Sequence, residues 1–121
     1  MSVALPLNKK RYDAERMRLA EHLSALAGLQ HDPTARFEPF DDGGMGSFRN
    51  VRRYLESEDQ EIKVGEFIFE DIDNIGVVIT VFSKDNIYIS SVDFWKHDFS
   101  PIKTFPSNQD LRKPDIINRD K

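Results

Sequence analysis

One stretch of the sequence decides the fold, the six residues Val77, Val78, Ile79, Thr80, Val81 and Phe82. Five of them are β-branched and five are apolar. A run of this kind is typical of a central β-strand that is covered on both faces. Polar turn residues bound it at 73–74 and at 84–86. The sequence therefore predicts a buried strand between two tight turns.

The segments on either side continue the same sheet. Residues 62–71 alternate in polarity, with Phe67 and Phe69 on one face, and residues 87–94 form another run rich in apolar side chains. Runs joined by such short turns form hairpins. We therefore expect three antiparallel strands that are direct neighbours.

The N-terminal part predicts a helix over residues 8–27, which contain neither Gly nor Pro. Asn8 is a suitable N-cap residue, and Gly28 stands where a left-handed residue would end the helix. An apolar stripe along one side is formed by Leu19, Leu23 and Leu26. A helix with one such stripe is expected to lie on the sheet.

Two shorter strands are predicted between this helix and the three-strand unit. Residues 36–40 alternate, but Pro39 restricts them to an edge or a strand end. Residues 41–46 are a turn of Asp and Gly, after which residues 47–51 return as a second strand. Residues 52–61 are charged and predict a loop or a short helical turn.

The expected architecture is a single α+β domain over residues 1–121, since a chain of this length is typical of one domain. It comprises the helix at 8–27, a β-rich body at 34–106 and a polar tail at 107–121. The sheet is antiparallel, has about five strands, and carries the N-terminal helix on one face.

The net charge of −4 is distributed unevenly along the chain. Residues 37–98 hold six Lys or Arg against fourteen Asp or Glu, a net of −8, whereas residues 1–36 and 99–121 each carry +2. An acidic body repels phosphate backbones, so no nucleic-acid partner is expected. It would attract a basic protein, although acidic surfaces also serve solubility alone.

The cysteine content and the N-terminus bear on the compartment. The chain has no cysteine, which fits a reducing environment. The apolar run before Lys9 is too short for a signal peptide, and no stretch approaches the roughly 20 apolar residues of a membrane span. We expect a cytoplasmic protein with no membrane partner.

Catalytic and metal-binding patterns are not found in the sequence. Ser47 follows a glycine cluster but lacks the second glycine of a nucleophile elbow, so a turn serine is expected. Asp71 and Asp73 resemble the start of a calcium loop whose twelfth position would be Phe82 rather than Glu. The three histidines lack zinc-pair spacing. No enzymatic activity, metal or cofactor is expected.

Three segments together resemble a known family: 42–48 (Asp-Gly-Gly-Met-Gly-Ser-Phe), the acidic strand end at 69–73, and 93–101, which contains Trp-Lys-His-Asp-Phe-Ser-Pro. They are similar to small bacterial proteins typified by a neisserial conserved hypothetical protein with DGGMGS and WKxDFSP motifs. The resemblance covers residues 36–106. Members resemble immunity proteins of contact-dependent growth inhibition, which implies binding and blocking of a cognate toxin domain.

The immunity role would assign the acidic surface to a basic toxin. The contact candidates are then Asp41, Asp42, Arg52, Arg53, Tyr54, Glu56, Glu58, Asp59, Glu61, Glu70 and Asp71. Residues shared across the family are better interpreted as fold determinants: Gly43, Gly44, Gly46, Trp95, Asp98, Phe99, Ser100 and Pro101. Trp95 has two interpretations, a core residue or a partly exposed interface anchor.

Two other classes of function stay open at this point. One is a non-catalytic regulatory or structural protein that self-associates through a strand edge. The other is a small enzyme that uses carboxylates, or His97 with Asp98. The sequence does not determine the oligomeric state.

Overall fold

The computed structural model describes residues 9–55 and 58–114 as one α+β domain. The elements in chain order are α1 (Lys9–Ala27), β1 (Phe37–Pro39), β2 (Phe48–Asn50), α2 (Val51–Leu55), β3 (Ile62–Glu70), β4 (Gly76–Ser83), β5 (Ile89–Lys96) and a short 3-10 helix (Asn108–Asp110). Asn8, predicted as the N-cap, and residues 115–121 of the predicted tail lie outside the described residues.

The five strands form one antiparallel sheet in the order β1-β2-β5-β4-β3. The predicted neighbours β3, β4 and β5 are confirmed, as is the position of Pro39 on an edge strand. The spatial order adds that β2 pairs with β5, through Phe48 and Val92. β5 therefore lies at the centre of the sheet, between a short hairpin and a long one.

The core lies between α1 and one face of the sheet. Leu19 and Leu23 of α1 are fully buried, together with the inward-facing residues Phe48, Phe67, Phe69, Val77, Ile79, Val81, Val92 and Phe94. Gly28 adopts φ +77°, the left-handed conformation predicted for the end of α1. Beyond it, the Leu29 N–H donates to the Ser24 carbonyl at 2.8 Å and closes the helix.

Two details of the predicted packing were wrong. Leu26 is 39 % exposed, so the apolar stripe of α1 is fully buried only at Leu19 and Leu23. β4 is buried on one face only: Val77, Ile79 and Val81 face the core, whereas Val78, Thr80 and Phe82 are only partly covered. A β-branched run predicts a strand, but coverage of both faces requires a second layer, which the described residues do not supply here.

Both edges of the sheet are partly protected, β1 by its short length and β3 by a bridge to another segment. β1 has only three residues and ends at Pro39. On β3, Ile68 exchanges two backbone hydrogen bonds with Arg112, at 2.8 and 3.1 Å. Short, proline-containing or covered edges hinder pairing with another chain. No helix in the described part of the chain is long and apolar enough to cross a membrane.

Candidate functional site

The side of the sheet opposite α1 is the candidate functional surface. It is formed by the outward-facing residues of four strands, Arg49, Glu66, Ile68, Glu70, Val78, Thr80, Phe82, Ser91, Asp93 and Trp95, and is called the open face below. Side chains alternate along a strand, so this surface follows directly from the inward orientation of Phe94 and its neighbours. The helix α2 contacts this surface at Arg49, whose guanidinium carbon lies 5.7 Å from the centre of the Tyr54 ring.

The strand register arranges the open face into two adjacent rows. Trp95 lies opposite Val78, which lies opposite Ile68, giving an apolar row. Asp93, Thr80 and Glu66 form the next row, with a carboxylate at each end. Residues two apart on a strand are separated by about 7 Å, so the apolar and acidic rows are within reach of one partner surface.

The apolar row ends in an exposed aromatic cluster. Trp95 is 47 % exposed and Phe99 is 63 % exposed, and their ring centroids lie 6.0 Å apart. The His97 ring also lies 6.0 Å from Trp95 between centroids. Of the two interpretations of Trp95, the structure therefore matches the exposed one, while Phe94 fills the core.

Phe99 is held in an unusual backbone conformation. Its φ is +63°, in the left-handed region that bulky residues seldom adopt. The turn is fixed because the Phe99 N–H donates to the Lys96 carbonyl at 2.8 Å, and Asp98 accepts both the backbone N–H and the hydroxyl of Ser100. The conformation presents an aromatic ring to solvent, which contributes little to the stability of the fold.

Asp93 is the carboxylate with the least favourable surroundings on the open face. Partial burial raises its pKa, the Ser47 hydroxyl opposes that rise with a long 3.4 Å hydrogen bond, and the negative charge of Asp42 adds to it. Asp93 forms no ion pair with any described residue. Its charge is therefore uncompensated within the part of the chain that the structure describes.

A shallow depression of about 390 Å³ lies beside Asp93. The rings of Phe40 and Phe82 and the carboxylates of Asp42, Glu61 and Asp93 line it. Glu61 is fixed there because the hydroxyls of Ser90 and Ser91, brought together by an irregularity in β5, donate to its Oε2 at 2.5 and 2.6 Å. The depression combines aromatic walls with negative charge.

The inner side of β5 carries a buried ionic cluster. Lys96 is fully buried, and its Nζ donates to Asp71 at 2.9 Å, to Asp73 at 2.7 Å and to the Pro101 carbonyl at 3.1 Å. All three ammonium protons are thereby used. Burial alone would lower the pKa of Lys96, but the hydrogen bonds and charges of the two aspartates outweigh it and raise the pKa.

The segments that carry the family resemblance meet in space. The Ile102 N–H donates to the Gly44 carbonyl at 3.0 Å, and a Cβ at Gly44 would lie 3.1 Å from Pro101. Gly46, at φ +113°, packs so closely that a Cβ would lie 2.8 Å from Ile102 and 2.9 Å from Phe94. The glycine turn, the acidic turn after β3 and the Ser-Pro corner thus form one packed unit.

Ser47 joins this unit to the sheet. Its hydroxyl accepts a hydrogen bond from the Phe94 N–H at 2.8 Å, and Asp42 accepts from the Met45 and Ser47 N–H groups at 3.1 and 3.0 Å. Ser47 is buried, as a turn residue rather than an exposed nucleophile would be.

Among the predicted contact residues, Asp71 requires a correction. It is 2 % exposed, and its carboxylate accepts hydrogen bonds from Lys96, from Ile72 N–H and from Lys103 N–H. A carboxylate that is buried and saturated in this way has no surface to offer a partner. The prediction for Asp71 was therefore wrong, since its role is internal.

The other candidates fall into two groups. Arg53, Tyr54 and Glu61 have exposed portions but are tied to the fold: Arg53 to Asp32 and the Tyr88 ring, Tyr54 to the Phe40 ring, Glu61 to the two serines. The solvent-exposed candidates are Asp41, Arg52, Glu58, Asp59 and Glu70, while Asp42 is partly exposed at the depression. Glu56 lies outside the described residues.

No local sequence pattern predicted Asp93, Phe40 or Phe82 as parts of a site. The available signal was alternation: once Phe94 is assigned to the core, Asp93 and Trp95 must face the other way. The proximity of Asp93 to Phe40 was hidden, because it depends on the pairing of β2 with β5. No group of three or more His, Cys, Asp or Glu within the described residues is placed to hold a metal ion.

The comparisons with known proteins give a family and no function. The family model described as a domain of unknown function, DUF6984, matches residues 9–106. The chain belongs to this family. The match includes α1, which the resemblance in the sequence did not cover. No curated protein and no solved structure matches the chain.

Proposed function

We propose that this DUF6984 chain is a non-catalytic binding protein that docks on a partner protein through its open face. The observation that carries the proposal is the exposed Trp95–Phe99 pair at the end of that face. Tryptophan and other large aromatic residues are enriched among the residues that dominate binding energy. Phe99 also adopts a strained backbone conformation, a feature that is concentrated at functional sites.

The proposed partner is the toxin domain of a bacterial competition system, such as contact-dependent growth inhibition, with this chain as the cytoplasmic immunity protein. The resemblance of segments 42–48 and 93–101 to immunity proteins supports this role. The net charge of −8 over residues 37–98 supports a basic partner surface, since opposite charges accelerate encounter. In this proposal, the acidic surface covers a basic toxin site.

The first test is calorimetry with the C-terminal domain of the protein encoded next to this gene. Nanomolar one-to-one binding is expected. Trp95→Ala and Phe99→Asn should each weaken it by about 30-fold or more, because anchor residues typically cost at least 2 kcal/mol when truncated. Glu21→Gln, on the solvent side of α1, is the matched control and should bind like the wild type.

A second test addresses the acidic loop between α2 and β3. Glu58→Lys combined with Asp59→Lys should slow association more than it speeds dissociation, because charges at the rim act mainly on encounter. Stopped-flow kinetics at low and high salt separates the two rates. Unchanged association would remove the loop from the interface, and wild-type binding by the Trp95 variant would refute the open face as the docking surface.

Self-association is the alternative function. The short β1 and the Ile68–Arg112 bridge on β3 make pairing through strand edges less favourable than docking on the open face. Sedimentation equilibrium tests it directly. One outcome would favour self-association over toxin binding at the open face. It is a stable homodimer that does not bind the toxin domain and that dissociates in the Trp95→Ala variant.

A further inference from the structure

The depression beside Asp93 has the chemistry of a site for one cationic side chain. Its walls are the rings of Phe40 and Phe82, and its charged groups are the carboxylates of Asp42, Glu61 and Asp93. Aromatic faces and carboxylates both attract guanidinium and ammonium groups. A neutral apolar side chain would leave the carboxylates without compensation, and an anion would be repelled.

Two of the three carboxylates already have partners that fix their positions. Asp42 accepts from the Met45 and Ser47 N–H groups, and Glu61 accepts from the Ser90 and Ser91 hydroxyls. Asp93 differs, since its one hydrogen bond is the 3.4 Å contact with the Ser47 hydroxyl and it has no ion pair with a described residue. The site therefore contains two carboxylates held in place by the fold and one, Asp93, that has no ion pair with a described residue.

The protein itself shows that a cation fits this kind of aromatic wall. Arg49 lies with its guanidinium carbon 5.6 Å from the centre of the Phe40 ring and 5.7 Å from that of Tyr54. Arg49 is also paired with Glu38, at 3.9 Å. Phe40 thus contacts a cation of the chain that is already paired and also borders the depression, whose described lining contains no Lys or Arg.

We infer that the depression accepts a single Lys or Arg side chain of the partner, with Asp93 as its principal counter-charge and Phe40 and Phe82 as its walls. This inference rests on the proposed docking of a partner at the open face and names the chemistry of one contact there. Trp95, two residues along β5, would receive a neighbouring apolar group about 7 Å away. The partner feature is therefore a basic residue next to an apolar one.

The pKa of Asp93 supports this assignment. Partial burial and the charge of Asp42 raise it, so ionised Asp93 is held in surroundings that disfavour its charge. A bound cation would reverse this and lower the pKa. Groups retained in unfavourable surroundings are characteristic of functional sites.

The inference can be tested without the partner by using n-butylguanidinium as the probe, observed by NMR of the full chain. An eight-atom ligand of ordinary efficiency binds with a dissociation constant on the order of tens of millimolar. Shifts confined to Phe40, Phe82, Ser91 and Asp93 are expected, together with a lowered pKa of the Asp93 carboxyl. The neutral isostere N-butylurea should produce neither effect.

Two variants make the result specific. Asp93→Asn should abolish the shifts, while Glu21→Gln removes a carboxylate of the same charge from the solvent side of α1 and should retain them. Thermal unfolding of both variants verifies that each is folded. Equal responses to the charged and the neutral probe, or retained shifts in Asp93→Asn, would overturn the inference.

Binding measurements with the toxin domain then distinguish failure of this inference from failure of the proposed function. If the domain binds, Asp93→Asn should weaken binding about 30-fold or more and Glu21→Gln less than about threefold, as expected for a paired charge compared with one outside the interface. If the domain does not bind while the guanidinium probe does, the immunity role fails and the cation site stands. If the domain binds equally to wild type and Asp93→Asn, the site fails and the immunity role stands.

Discussion

The two sides of β5 place charged residues in opposite situations. Lys96 faces inward, is fully buried, and has every ammonium proton bonded to Asp71, Asp73 or the Pro101 carbonyl. Asp93, three residues earlier, faces outward and has no ionic partner among the described residues. The comparison shows that a buried charge is tolerated when the fold satisfies it completely, whereas an exposed charge such as Asp93 is left to solvent or, as we propose, to a partner.

The largest expected effect on stability comes from removing the buried cation on the inner side of β5. Lys96→Met should lower the free energy of unfolding by about 3–5 kcal/mol, because it leaves Asp71 buried without a compensating charge. Lys63→Met is the matched control: its ion pair with Glu66, at 3.0 Å, is exposed, and such pairs contribute about 1 kcal/mol or less. Urea unfolding of both variants checks this. Similar losses would mean that burial does not distinguish the two pairs.

The glycine turn at 43–46 packs against the Ser-Pro corner beside Lys96. Substitution in this turn should cost nearly as much stability. Gly46→Ala is expected to cost about 3 kcal/mol, since φ +113° strains the new residue and its Cβ would meet Ile102 and Phe94. Gly43→Ala shares the positive φ but has nothing within 4 Å, so about 1–2 kcal/mol is expected. The difference is measured from the denaturant midpoints of the two variants, provided that the dependence of the unfolding free energy on denaturant concentration is the same for both. An equal cost at the two glycines would remove the close contact as a cause.

The pH dependence of stability tests the buried Lys96 cluster through its second aspartate, Asp73. The hydrogen bond from Lys96 lowers the pKa of Asp73, so its stabilisation is present above the unfolded pKa of about 3.9 and is lost as pH falls through the lower folded value. The gap in stability between wild type and Asp73→Asn should therefore be constant near neutrality and shrink below about pH 4. A gap that widens in acid would contradict the assignment.

The smallest effect is expected on the outer side and has the opposite sign. Because the folded pKa of Asp93 is raised, its ionised form is disfavoured in the native state at neutral pH. Asp93→Asn should raise the free energy of unfolding by roughly 0.5 kcal/mol or less, since solvent screens a charge that is exposed. The gain should vanish below the unfolded pKa of about 3.9, where both carboxyl states are protonated. A loss of stability at pH 7 would mean that Asp93 supports the fold.

Some of this arrangement was accessible from the sequence because it depends on local physics. The β-branched run at 77–82, the alternation that pairs Phe67 with Phe69, and the Gly-free helix ending at Gly28 each obey a period or a conformational rule. These features predicted the helix, the three-strand unit and the edge position of Pro39. They also predicted Ser47 as a turn residue, and the structure adds that it is buried.

The candidate site was less accessible, for two physical reasons. Acidic residues near one another in the sequence look alike, so Asp71 was grouped with Glu70 although one is buried against Lys96 and the other is exposed. The depression draws Phe40, Phe82 and Asp93 from three different parts of the chain. No local pattern connects such residues, because strand order is set by long-range pairing.

The sequence by itself therefore determined the element types, the apolar faces and the acidic charge of the body, all of which follow from neighbouring residues. Only the tertiary structure decided which charges are internal and which face outward. It did so by placing β2 beside β5, which brings Phe40 and Asp42 to Asp93, and by folding the Ser-Pro corner onto the turn after β3, which encloses Lys96. The energy of a charge depends on the atoms that surround it, and those atoms come from distant segments.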